Sequence, residues 1–200
     1  MQRLRFLVML GVFCIGCLFC TRFVFGQNGQ QSVELRVIVR TGSPEEVQKA
    51  LETGMQVDIR DDIGRTPLMW AAFSNENPEV LKMLLDAGAR VDARDEAGRT
   101  PLMRAASHNE NPEIARVLLA AGANVHARDE RGRTALMRGA QWNRNPEVIK
   151  VLLEAGADKK ARCYYGKTAF EYAQGNEHMH ETEVYRFLKE AGIFSIDRIT

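Results

Sequence analysis

Beyond its first twenty residues this chain has almost no cysteine: Cys14, Cys17 and Cys20 lie near the start, and Cys163 stands alone in the remainder. A single thiol cannot close an internal disulfide, so the folded part must be held by packing. A dominant sign of charge is also missing. The 27 Lys and Arg residues face 26 Asp and Glu, which excludes the strongly basic face of a nucleic-acid binder. No glycine-rich phosphate loop, zinc-ligand cluster or paired-acid site occurs, and no Asn-x-Ser/Thr acceptor for glycosylation. Long apolar runs are limited to one, Phe6 to Cys20, which is short of the ~20 residues a membrane span needs.

That run has its own meaning. Arg3 and Arg5 precede it, Thr21-Arg22 follows, and Val24-Phe25-Gly26 offers small or apolar residues where a signal peptidase reads. The pattern predicts a signal peptide over residues 1–26, cut before Gln27. An exported, periplasmic or secreted protein follows from it, with a linker over 27–30. An uncleaved membrane anchor is the alternative. Ile15-Gly16-Cys17 half-matches a bacterial lipobox, a weaker third option that would lipidate Cys17. Cleavage removes three arginines and no acid, moving the net charge from +1 to −2.

What the chain has in abundance is repetition. Gly64, Gly98, Gly132 and Gly166 stand 34 residues apart and open the phrases GRTPLMWAA, GRTPLMRAA, GRTALMRGA and GKTAFEYA. Pro44, Pro78, Pro112 and Pro146 keep the same step. A fixed period of this length marks a stacked-repeat architecture. The unit Gly98–Arg131 matches the preceding unit at 23 of 34 positions and the following one at 19 of 34.

One unit can be read physically. Thr100-Pro101 is a hydroxyl N-cap followed by proline at the first helical position. Asn111-Pro112-Glu113 starts a second helix in the same way, with the acid at the positive end of the dipole. Ile114, Val117, Leu118 and Leu119 form its apolar stripe. Gly122 then supplies a left-handed C-terminus, and a polar extended loop leads to the turn at Gly132. Neither helix is long enough to be stable alone, so only stacking buries the leucines.

These residues resemble the ankyrin repeat, on Gly64-Arg65-Thr66-Pro67-Leu68 and Leu84-Leu85-Asp86-Ala87-Gly88-Ala89, with close copies twice more. The resemblance implies an all-α repeat solenoid of helix-turn-helix units with projecting loops. About five units are expected over 31–192: a cap at 31–63, repeats 64–97, 98–131 and 132–165, and a cap at 166–192, with a tail over 193–200. Met69, Met103 and Met137 replace the family's histidine and are expected as apolar fillers. The period is one residue longer than usual because Asn-x-Asn-Pro-Glu fills the turn between the helices.

The resemblance also implies that a protein ligand docks on the concave face made by loop tips and first helices. Carried onto this chain, the candidates are Arg65, Arg99, Arg133, Tyr164, Tyr165 and Lys167 on the loops. On the first helices they are Trp70, Phe73, Arg104, His108, Arg138, Trp142 and Tyr172. Aromatics with arginines are the material of interface hot spots. The competing reading buries Trp70 and Tyr172 between repeats and pairs the arginines with neighbouring acids. Glu79/Lys82, Glu113/Arg116 and Glu147/Lys150 read as surface ion pairs of small value. His178 and His180 would fall on different faces of a helix and read as a polar cap loop rather than a metal site. Cys163 holds the position of Asp95 and Asp129, as a tolerated substitution or a reactive thiol.

The expected function is a non-enzymatic protein-interaction module. It is expected to be monomeric, without cofactor, metal or nucleic acid, and to touch membrane only through the N-terminal segment. An accessory or protective factor for a periplasmic enzyme and a membrane-anchored scaffold are the alternatives.

Overall fold

The computed structural model describes residues 36–193, with side chains to residue 190. The expected signal peptide over residues 1–26, the expected linker over 27–30 and the residues from 194 onward lie outside the described residues. Helical residues 36–41 (α1) lead into α2 (Pro44–Glu52). Then come α3 (Pro67–Ser74) with α4 (Pro78–Asp86), α5 (Pro101–His108) with α6 (Pro112–Ala120), and α7 (Ala135–Trp142) with α8 (Pro146–Glu154). The short α9 (Ala169–Ala173) and α10 (Glu183–Ile193) close the stack. First helices pack on first helices and second on second, giving an all-α ankyrin-type stack of about five units.

Each boundary has a local cause. The hydroxyls of Thr66, Thr100 and Thr134 accept from the N–H of Met69, Met103 and Met137, and proline fills the first turn of α3 and α5. Asn77, Asn111 and Asn145 cap the second helices by accepting from Glu79, Glu113 and Glu147. Gly122 adopts φ +88° at the end of α6, a region closed to most side chains. The loops contain turns and no strand among the described residues. Adjacent loops are joined by single backbone bonds, such as Glu130 N–H to Ala97 O at 3.1 Å.

The core runs continuously through the stack. Leu68, Leu102 and Leu136 are fully buried, as are Leu84, Leu118 and Leu152. Burial of each such side chain contributes about 1.5–3 kcal/mol. Met69, Met103 and Met137 are buried to 1% or less and fill the space expected of them.

Asparagine ties neighbouring repeats together at the turn between the helices. Asn109 Nδ2 donates to Ala72 O at 3.2 Å and Asn75 O at 2.9 Å, in the preceding repeat. Its Oδ1 accepts from Asn111 N–H at 3.0 Å. Asn75, Asn143 and Asn176 repeat the arrangement, so one side chain satisfies two otherwise orphaned carbonyls at every repeat junction. A second ladder runs on the loops: Arg94 Nη1 donates to Gly98 O at 3.2 Å and to Arg128 O at 2.7 Å. Arg60 and Arg128 do the same in their own repeats.

Candidate protein-binding face

The loops and first helices meet through a side-chain pair nine residues apart. Asp95 Oδ2 accepts from Arg104 Nη2 at 2.6 Å, and Asp129 Oδ2 from Arg138 Nη1 at 3.2 Å. One repeat earlier the same place holds Asp61 and Trp70, with indole Nε1 donating at 3.2 Å. In the last unit it holds Cys163 and Tyr172, with Sγ and Oη 3.4 Å apart. Each aspartate also fixes its own turn: Asp95 Oδ1 accepts from the N–H of Ala97 and Arg99. Carboxylate, turn and helix are thereby locked together.

Burial sorts the sequence candidates. Trp70 is 9% exposed, and Arg104 and Arg138 are 5% exposed. These three belong to the scaffold, because the nine-residue pairing draws them under the loops. This corrects their assignment as surface contacts. Arg65, Arg99 and Arg133 are half-buried and paired to Asp61, Asp95 and Asp129. Phe73 is half-buried and stacks on the His108 ring, which it shields on one side, with centroids 4.5 Å apart. Tyr172 is half-buried against Cys163. Trp142, Tyr164, Tyr165 and Lys167 stand in solvent, the three aromatics at 57, 73 and 69% exposure. The Tyr164 ring lies over Gly132, where an added Cβ would come within 2.7 Å of it.

The electrostatics follow from this packing. Burial alone would raise the Asp95 carboxyl, but the Arg99 N–H and the Arg104 and Arg99 guanidiniums outweigh it and hold it below the usual carboxylate range. Burial and the adjacent Arg133 bring Arg138 down to about 10, with Asp129 opposing. Loss of surrounding water, with Arg138, Arg104 and Arg99 nearby, pushes His108 down. Burial and the Cys163 thiol raise Tyr172 to about 12. Around Trp70, Arg65 stacks at 3.7 Å and Arg40 and Arg36 at 5.3 and 5.4 Å from the ring centre.

Other features fall away from this face. His180 is fixed by Gln174 O at 3.1 Å and by the Tyr185 ring. No group of three metal-binding side chains occurs among the described residues. A groove of about 560 Å³ on the outer side, between α8 and α10, is lined by Leu153, Val184 and Phe187 among charged residues.

Such a stack, with loop tips and first helices on one face, defines a repeat-type binding scaffold. The family model described as Ankyrin repeats (3 copies) matches residues 35–129, 75–163 and 102–198 in overlapping registers, and the chain belongs to the ankyrin-repeat family. No curated protein matches the chain. Ankyrin repeats imply a protein-protein interaction module, and no enzyme family is found.

Proposed function

We propose that this protein acts without catalysis, by docking another protein on the face formed by its loop tips and first helices, outside the cytoplasm. The observation that carries the reading is the exposure of three aromatics toward the C-terminal end: Trp142 closing α7, and Tyr164 and Tyr165 on the last loop. Among the described residues Val37, Ile63 and Phe187 are the other exposed large apolar side chains, each less exposed than these three. Exposed Trp and Tyr on a rigid support are the side chains that carry most binding energy at protein interfaces.

Replacing Trp142, Tyr164 and Tyr165 together by Ala tests it. These side chains are exposed, so the melting temperature stays near that of the wild type while partner capture is lost. Retained capture by the folded variant would remove this face from consideration. Export rests on residues 1–26 alone and is tested by mass spectrometry of the mature protein. An N-terminus at Gln27 supports a cleaved signal; an intact Met1 or a lipidated Cys17 overturns it in favour of an anchor or lipoprotein.

A further inference from the structure

Each regular repeat sets two guanidiniums against one carboxylate on the inner face. Asp95 pairs with Arg99 at 2.8 Å and Arg104 at 2.6 Å. Asp129 pairs with Arg133 at 2.9 Å and Arg138 at 3.2 Å. At the N-terminal end Asp61 pairs with Arg65, while Arg36 and Arg40 approach across Trp70. In the last unit the carboxylate is gone, since Cys163 takes its place, yet Lys167 keeps the cation.

The exposed acids of the loop tips do not pair with this row. Asp62, Glu96 and Glu130 are exposed one residue further along each loop, and none makes an ion pair with these arginines among the described residues. Glu171 is engaged by Thr168 and Arg162. The excess of positive charge is felt locally: His108 is pushed down by burial and by three of these arginines.

Two donors of the row, Arg36 Nε and Arg104 Nε, are buried without a partner. Arg138 gives its Nε to Ser107 Oγ at 3.1 Å. The residue matching Ser107 one repeat earlier is Phe73, which has no acceptor, and Arg104 Nε is buried without a partner. Buried polar groups without partners are rare enough to require a reason.

We propose that this row takes an extended acidic segment of the partner protein, its carboxylates seated one per repeat beside the half-buried Arg99 and Arg133, with Arg104 and Arg138 lying beneath them as fixed positive charge. The inference rests on the inner-face docking reading. The spacing follows from geometry. Packed helices lie about 8–10 Å apart and an extended chain rises about 3.3 Å per residue. One repeat therefore matches about three residues, and Glu or Asp at every third position fits best. Nucleic acid fits poorly, because duplex phosphates present one charge per ~1.7 Å of axis, whereas these arginines are interrupted by Asp95 and Asp129 and flanked by exposed Asp62, Glu96 and Glu130.

Fluorescence anisotropy of the full chain tests this with labelled peptides. One carries Glu at every third position between Ser and Ala; an isomer has the same Glu residues contiguous; a third has Lys in place of Glu. Oligothymidylate serves as a competitor. The spaced Glu peptide should bind best, weaken steeply between about 50 and 300 mM salt, and lose about tenfold in affinity in the double variant Arg99→Gln, Arg133→Gln. That variant leaves Asp95 and Asp129 paired to Arg104 and Arg138, and a melting curve verifies its fold. Salt dependence on the wild type gives an answer even if the variant unfolds. Equal binding of the Lys peptide, displacement by oligothymidylate, or Glu binding indifferent to salt overturns the proposal. Absent peptide binding, with partner capture still dependent on Trp142, Tyr164 and Tyr165, sinks the acidic segment alone and spares the docking face.

Discussion

Replacing Asn109 by Ala puts the repeat junction itself to the test. The side chain is 3% exposed and makes three hydrogen bonds: two donated to carbonyls of the preceding repeat, at 3.2 and 2.9 Å, and one accepted from Asn111 N–H at 3.0 Å. Each contributes about 0.5–1.5 kcal/mol net, so the truncation costs about 3 kcal/mol. Asn109→Asp keeps the size and the acceptor for Asn111 but turns an oxygen toward the two carbonyls, and is at least as damaging. Asn176 makes the equivalent bonds, at 3.1 and 2.7 Å, but it tethers only the terminal pair α9 and α10. Asn176→Ala should therefore fray the end and shift the main transition less. Repeat stacks behave as nearest-neighbour chains, so Asn109→Ala should also broaden the urea transition by uncoupling the two halves. Urea unfolding followed by helical circular dichroism measures both effects. A loss below about 1 kcal/mol, with an unchanged slope, would refute the account of Asn109 as the tie between repeats.

Three further predictions concern the inner face and its support. Asp129→Ala leaves buried Arg138 without its carboxylate, with Ser107 still accepting from its Nε, and should cost about 3–5 kcal/mol, read by urea unfolding. The double variant Asp129→Cys, Arg138→Tyr rebuilds the pair found at Cys163 and Tyr172 and should recover much of that loss. An added Cβ at Gly139 would lie 2.5 Å from Ile149 Cδ1 and 3.1 Å from Ala106 O, so Gly139→Ala should destabilise by about 1–3 kcal/mol; adding Ile149→Ala should relieve it. His108 is pushed below its ordinary value, so the unfolded chain takes up the proton first. Stability is then fully present above about pH 6.5 and falls as pH drops through the lower folded value. Thermal melts of His108→Gln across that window should lack this decline.

The helix pairs were legible because their signals are local and repeated: Thr-Pro and Asn-Pro starts, leucine stripes, and glycine ends all lie within one unit. The buried methionines were legible for the same reason. Exposure was harder to read. Trp70, Arg104 and Arg138 have the composition of a binding surface, yet all three are buried by a contact nine residues upstream. The clue was in the chain, since Asp61, Asp95, Asp129 and Cys163 each stand nine residues before a side chain able to hydrogen-bond with them: Trp70, Arg104, Arg138 and Tyr172. The inter-repeat roles of Asn109 and Arg94 were hidden more deeply. Their partners are backbone carbonyls of a neighbouring unit, which carry no residue identity. Trp142, Tyr164 and Tyr165, by contrast, break the repeat and remain exposed.

Site-specific photo-crosslinking tests the docking face most directly. A photoreactive phenylalanine analogue is placed at Tyr164 or Trp142, at Arg116 on the outer surface of α6, or at Phe187 beside the outer groove. The account predicts one discrete protein adduct from positions 164 and 142 and none from 116 or 187. An adduct formed only from the outer positions would contradict it.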